Sequence, residues 1–170
     1  QFHAGGRGAA ISDINARNGN EPGVSFYTHV SDQYDPFGSR VIAATAGEAP
    51  YVLDGLLYHH TGLSIEEHYT DTGGASDHVF GLMPFFGYRF APRLRDIKER
   101  RLHLLPGQEA GPLLTGMVGD PIAHGHAAAH WDELLRLATS IRTGTVTASA
   151  MLRKLSAYPR QNGLALALRE

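Results

Sequence analysis

The first strong pattern along the chain is a pair of short runs rich in β-branched and aromatic residues. "GVSFYTHV" (residues 23–30) and "SRVIAATA" (39–46) read as strands, and "SDQYDPFG" between them carries the Asp, Pro and Gly of a turn. "APYVLDGLLYHH" places Val52, Leu53, Leu56 and Leu57 at helical spacing, with Gly62 as a stop. "SIEEHYT" alternates as a strand until Gly73-Gly74 break it. Ser76 then caps a helix whose apolar face is Val79, Leu82, Met83 and Phe86, and Pro84 inside that pattern should kink or shorten it. "YRFAPRL" resumes as a strand. The order strand, strand, helix, strand, helix, strand predicts an α/β or α+β arrangement with helices packed on a sheet. The antiparallel pair should be joined in one mixed sheet by parallel strands near 65–71 and 88–94.

After residue 100 the texture changes. "LLPGQEAGPLLTGMVGDPIAHG" reads as loop, and three helical patterns follow: around "AAAHWDELLRLATSI", around "TASAMLRKLSAY", and from Asn162 onward. Leu134, Leu135, Leu137, Ala138 and Ile141 fit one face of the first, with Gly144 and Pro159 as breaks. Neither an internal repeat nor a low-complexity tract interrupts this order.

Composition narrows the chemistry. The 170 residues are 42% hydrophobic, enough for a domain with a core, and the lack of Cys excludes disulfides and thiolate metal sites. No stretch reaches the ~20 apolar residues of a membrane span, so no membrane partner is expected. The chain begins at Gln1 and ends in "LALALRE", within a helical pattern, so a fragment is expected. Net charge is −2, but unevenly spread: residues 1–88 carry ten acidic and three basic residues, residues 89–170 seven and twelve. The densest basic cluster, "RFAPRLRDIKERR", holds Arg89, Arg93, Arg95, Lys98, Arg100 and Arg101 against Asp96 and Glu99. On charge alone it reads as solvated surface rather than as a nucleic-acid footprint.

Other constellations carry less. His124, His126 and His130 form an H-x-H-x₃-H cluster and His59-His60 a pair, yet the cluster straddles a helix start with no carboxylate at ligand spacing until Asp132. Exposed histidines at a loop–helix junction are the simpler reading. No G-x-S-x-G elbow supports a serine hydrolase, and "AGGRG" (4–8) lacks the Gly-Lys-Ser/Thr of a P-loop, reading instead as a hairpin connection. Asp71 remains. It closes a strand and is followed by Thr72, Gly73 and Gly74, at the kind of edge where α/β sheets bind ligands. Read from the residues alone it is either one carboxylate of a metal site or the Asp of an Asx-turn.

The segments "EEHYTDTGGASDHVFGL", "YRFAPRLRDIKERRL", "GVSFYTHVSDQYDPF" and "HWDELLRLATSIRTGTVTASAMLRKLSAYPRQNGLALALRE" together resemble the catalytic region of the Tn3 family of replicative bacterial transposases, over nearly the whole chain. The resemblance implies a ribonuclease-H-like fold with a mainly helical insertion: residues 1–100 as part of a catalytic core, residues 101–170 as an insertion leading toward the helix of the catalytic glutamate. It implies an Asp-Asp-Glu site in which Asp71, in its "Y-T-D-T" context, is the second aspartate and a metal ligand. The first aspartate would precede Gln1-Phe2 and the glutamate would follow Glu170, so Glu170, Glu67 and Asp77 are not assigned that role. The implied activity is a polynucleotidyl transfer using two Mg²⁺ or Mn²⁺ ions, nicking transposon ends and joining them to target DNA, with this segment inactive by itself. The implied partners are double-stranded DNA, contacted through the Arg89–Arg101 cluster, and a second copy in a homodimer; the implied location is the bacterial cytoplasm and nucleoid. Two rivals differ in class: a non-catalytic transposase remnant or DNA-binding module, and a stand-alone nuclease using Asp71 with Asp32, Asp35 or Asp54.

Overall fold

The computed structural model describes residues 2–3, 12–16, 19–157 and 162–170; the glycine run 4–8 and Pro159 lie outside the described residues. Strands are β1 (Phe2–His3), β2 (Asp13–Ile14), β3 (Pro22–Val30), β4 (Pro36–Ala43), β5 (Glu67–His68) and β6 (Arg89–Phe90). Helices are α1 (Val52–Leu57), α2 (Asp77–Leu82), α3 (Gly125–Ala129), α4 (Trp131–Arg142), α5 (Ala148–Ala157) and α6 (Gly163–Ala167).

The two early runs form the expected hairpin. β3 pairs antiparallel with β4, Tyr27 opposite Arg40 and Thr28 opposite Ser39. Tyr34, at φ 64, turns the connection, and its N–H donates to the Ser31 carbonyl at 3.0 Å. Alternation along β3 sends Gly23 and His29 inward, with Tyr27 half-buried, while Phe26 and Val30 face solvent.

One expectation needs correcting. β5 and β6 do pair in parallel, Glu67 opposite Arg89 and His68 opposite Phe90, but they form a separate two-stranded sheet rather than joining the hairpin. One edge of β3 carries β4 and, at its N-terminal end, β2; the opposite edge carries β1 at Gly23 and Val24. The parallel ladder also stops early. Backbone bonds continue from Ala91 N to His68 O (2.9 Å) and from Arg93 N to Thr70 O (2.8 Å), after which Gly73-Gly74 follow on the β5 side. Rings bridge the sheets instead. His29 of β3 lies 5.3 Å from His68 of β5, centroid to centroid, and His68 stacks on Phe90 of β6 at 6.0 Å.

Most helices follow their local signals, although α1 ends at Leu57, short of Gly62. A 3-10 turn at Ala49–Tyr51, with Pro50 in its first positions, leads into α1, whose Val52, Leu53 and Leu56 are almost fully buried. Ser76 caps α2 by accepting from Val79 N at 3.3 Å. Pro84 shortens α2 as expected: the helix stops at Leu82 and tightens to 3-10 over Met83–Phe86, ended by Gly87 at φ 83. In α4, Leu134, Leu137, Ala138 and Ile141 are buried, whereas Leu135 is 42% exposed and lies off the expected face. His130 separates α3 from α4 within a stretch whose spacing reads as one helix. Asn162 caps α6 through both Leu164 N and Ala165 N. Leu134, Ile141, Leu152, Leu155, Ala165 and Leu168 share one core with Val52, Leu53, Leu56, Val79, Leu82 and Met83, so the later helices close over α1 and α2.

Candidate active site at the end of the parallel ladder

Asp71 is exposed and follows directly on Thr70, whose carbonyl takes the last ladder bond from Arg93. The ladder thus delivers the carboxylate at the carboxyl end of β5, where backbone order gives way to an open edge. Gly73 N donates to Asp71 Oδ1 at 3.0 Å, an Asx-turn that fixes one oxygen. Of the two readings left open by the residues, the Asx-turn is realised, and the carboxylate that makes it stays exposed.

A neighbour that the sequence did not single out stands beside it. Glu48 ends the turn after β4, and its carbonyl accepts from Tyr51 N at 2.9 Å. A Cβ built on Gly73 would lie 3.2 Å from Glu48 Oε2 and 3.3 Å from Asp71 Oδ1, so both oxygens border the small space that the missing side chain leaves free. Partial burial, and then the negative charge of Asp71, push the Glu48 carboxyl above its usual range. Tyr27 of β3 closes the same corner. Burial raises its phenol to about 12, against a hydrogen bond with Thr70, and the charges of Glu48 and Asp71 add to the rise. The only advance signal for Glu48 was an acidic residue just ahead of a Pro-initiated helix, which ordinarily marks a cap.

The acids of the rival nuclease reading do not gather here. Asp54 is 3% exposed and fully committed: Arg40 Nη1 bonds its Oδ2, Ser149 N donates to Oδ1 at 3.0 Å, and Ser149 Oγ donates to Oδ2 at 2.5 Å. It ties β4, α1 and α5 together. Asp32 and Asp35 sit in the β3–β4 turn. Among the described residues no three His, Asp or Glu side chains converge as a metal-binding group. The histidine cluster after residue 123 disperses too, with His130 Nδ1 against Glu133 Oε2 at 2.6 Å.

The basic segment divides. Arg89 is engaged, its Nη2 lying 2.7 Å from Glu67 Oε1 and 3.7 Å from Glu66 Oε2. Arg93, Arg95, Lys98 and Arg100 are exposed and have no ion-pair partner among the described residues, Asp96 and Glu99 included. Arg101 donates to the carbonyls of Lys98 and Arg100. Because Arg93 N bonds Thr70 O, this row starts next to Asp71. A cavity of about 530 Å³ lies between α2, α6 and the 94–102 segment, lined by Phe80, Ile97, Arg100 and Arg101 among others. Asp71 is not part of it. No helix among the described residues is long and apolar enough to cross a membrane.

Comparison with known proteins matches the sequence of this chain to a family. The chain is 56% identical over 170 residues to the transposase for transposon Tn501 of Pseudomonas aeruginosa, covering 100% of the chain and 17% of that protein. It is 54% identical over 169 residues to the transposase for transposon Tn21 of Escherichia coli, covering 99% of the chain and 17% of that protein. With the transposase for transposon gamma-delta of Escherichia coli strain K12 the identity is 38% over 157 residues, covering 89% of the chain and 15% of that protein. The chain thus spans about a sixth of the length of these relatives. The family profile described as "Tn3 transposase DDE domain" matches residues 1–170, and the chain belongs to that family.

Proposed function

We propose that these residues serve in a DNA transposase that nicks double-stranded DNA at transposon ends and transfers the freed strand into target DNA. Asp71 is the second aspartate of an Asp-Asp-Glu site, and the fold is ribonuclease-H-like, with residues 1–100 in the catalytic core and 101–170 as its mainly helical insertion. The observation that carries this reading is the placement of Asp71: an exposed carboxylate at the carboxyl end of a parallel strand, with one oxygen held by Gly73 N–H. The donor chemistry fits a hard divalent ion, because a carboxylate oxygen faces a space that Gly73 keeps free of side chain. Asp71 would hold Mg²⁺ or Mn²⁺ together with acids from outside these residues. When bound, the ions supply activation of the attacking water or 3′-hydroxyl and stabilisation of the leaving oxygen. Gly73 N–H orients the Asp71 carboxylate toward that space. Arg93, Arg95, Lys98 and Arg100 run on from the same ladder and line up phosphates beside it.

The test is a nicking and strand-transfer assay on a supercoiled plasmid carrying transposon ends, using the full-length protein that contains these residues. Asp71→Asn should abolish both steps and leave end binding intact. Transposition that persists without Asp71 would overturn the assignment. The isolated 170-residue chain should be inactive, since two-metal chemistry needs several convergent carboxylates. Nicking by that chain, lost on Asp71→Asn, would favour the stand-alone nuclease.

A further inference from the structure

The Asp-Asp-Glu reading draws one carboxylate from this chain, but the geometry sets a second against it. Glu48 Oε2 and Asp71 Oδ1 border the same space beside Gly73, at 3.2 and 3.3 Å from where a Cβ would stand. Two carboxylates facing a shared, partly buried space repel each other, and that arrangement is stable when a cation lies between them. No side chain supplies that cation: among the described residues neither Glu48 nor Asp71 has an ion-pair partner. Arg40 is spent on Asp54, and Arg89 on Glu67. Tyr27 closes the corner with a phenol rather than a positive charge.

Backbone structure holds the arrangement. Glu48 is fixed by the 3-10 turn that opens α1, and Asp71 by its Asx-turn, so the two acids approach from different elements. A side chain at residue 73 would intrude between them, and that residue is glycine. Hard divalent cations are held by several oxygens arriving from separate segments. A glycine that leaves room at their meeting point completes such a corner.

We propose that Glu48 is a positioning residue of this site, its carboxylate directed at the divalent ion held by Asp71 and fixing where that ion sits. The proposal rests on the reading of Asp71 as a metal ligand. Groups that orient a metal from beside its ligands are worth about 10- to 100-fold in affinity, which sets the expected effect. It also assigns Gly73 a role distinct from its turn, because a methyl there would fill the shared space.

Mn²⁺ binding to the full-length protein, followed by electron paramagnetic resonance, tests this without relying on activity. Glu48→Gln should weaken Mn²⁺ binding at the site by roughly 10- to 100-fold, Glu48→Asp should restore part of it, and Asp71→Asn should remove it. Gly73→Ala, which changes no charge, should weaken binding in the same direction. Near-ultraviolet circular dichroism identical to the parent protein shows that Glu48→Gln folds, and Gly73→Ala serves as the independent arm where it does not. If Glu48→Gln or Gly73→Ala binds Mn²⁺ as the parent does while Asp71→Asn does not, the role of Glu48 is wrong and Asp71 stands. If Asp71→Asn binds as the parent does, the reading of Asp71 fails and takes this proposal with it.

Discussion

Asp54 and Asp71 are the same side chain put to opposite uses by their surroundings. Asp54, inside α1, is closed off by Arg40 and by the N–H and hydroxyl of Ser149, so its charge is neutralised by the protein. Asp71 keeps Oδ1 on Gly73 N–H and stays exposed, with no ion-pair partner among the described residues. Nothing in the strings "VLDGLL" and "YTDTGG" distinguishes them, because the partners of Asp54 come from β4 and α5. Histidine shows the same dependence on context. His29 is 5% exposed with neither ring nitrogen hydrogen-bonded, and Gly55 presses on its ring so closely that a Cβ there would lie 2.0 Å from Nε2. Burial, then the nearby His68 and His59, lowers His29 to about 4, and burial lowers His68 likewise to about 4. Both therefore fold as neutral imidazoles. Between pH 4 and 6.5 the unfolded chain binds more protons, so stability rises with pH through that window and is lost as pH falls toward 4, by about 1.4 kcal/mol per pH unit for each histidine. Urea unfolding at stepped pH should show this slope, and His29→Leu should flatten it by close to one proton. A slope that His29→Leu leaves unchanged would exclude His29 as its source.

Elements obey short-range chemistry where the signal is local and depart from it where packing intervenes. Ser76, Pro84 and Asn162 set helix ends through bonds made or denied within a turn, which is why those boundaries could be read from the residues. The exposure of Leu135 could not, because several apolar residues in α4 satisfy helical spacing and only the position of the partner helices selects among them. The meeting of α2 and α6 offers a sharp test. A Cβ on Gly81 would stand 2.1 Å from the Leu168 carbonyl oxygen, a backbone atom that cannot swing aside. Gly81→Ala should therefore cost about 1–3 kcal/mol of overpacking, or a fall in Tm of roughly 2–4 °C per kcal/mol, in thermal circular dichroism. Gly62→Ala, where a Cβ meets open space, is the matched control and should move Tm little. Equal shifts for the two would mean that the α2–α6 contact gives way more easily than its geometry implies.

Across the whole molecule, the uneven charge of the two halves becomes a surface with a direction. Arg93, Arg95, Lys98 and Arg100 form a basic row, without ion-pair partners among the described residues, that begins beside Asp71, whereas Arg89 turns back onto Glu67. If the row follows a phosphate backbone, reversing Arg93 and Arg95 to Glu in the full-length protein should weaken DNA binding for every sequence tested. The slope of log K against log salt should flatten by roughly 0.9 for each phosphate that is no longer neutralised. An unaltered slope would make the row ordinary solvated surface. Arg89→Glu should matter less to that slope, since its charge is already balanced. The residues alone pointed to the hairpin, the capped helices, the Pro84 break and the basic cluster, because spacing, caps and breakers act within a few residues; for Asp71 they left a metal ligand and an Asx-turn both open. Tertiary structure alone decided that the parallel ladder stands apart from the hairpin sheet, that Asp54 is neutralised while Asp71 is not, and that Glu48 meets Asp71 across Gly73. Those outcomes depend on which strands and which charges arrive from distant segments, and no local pattern records either.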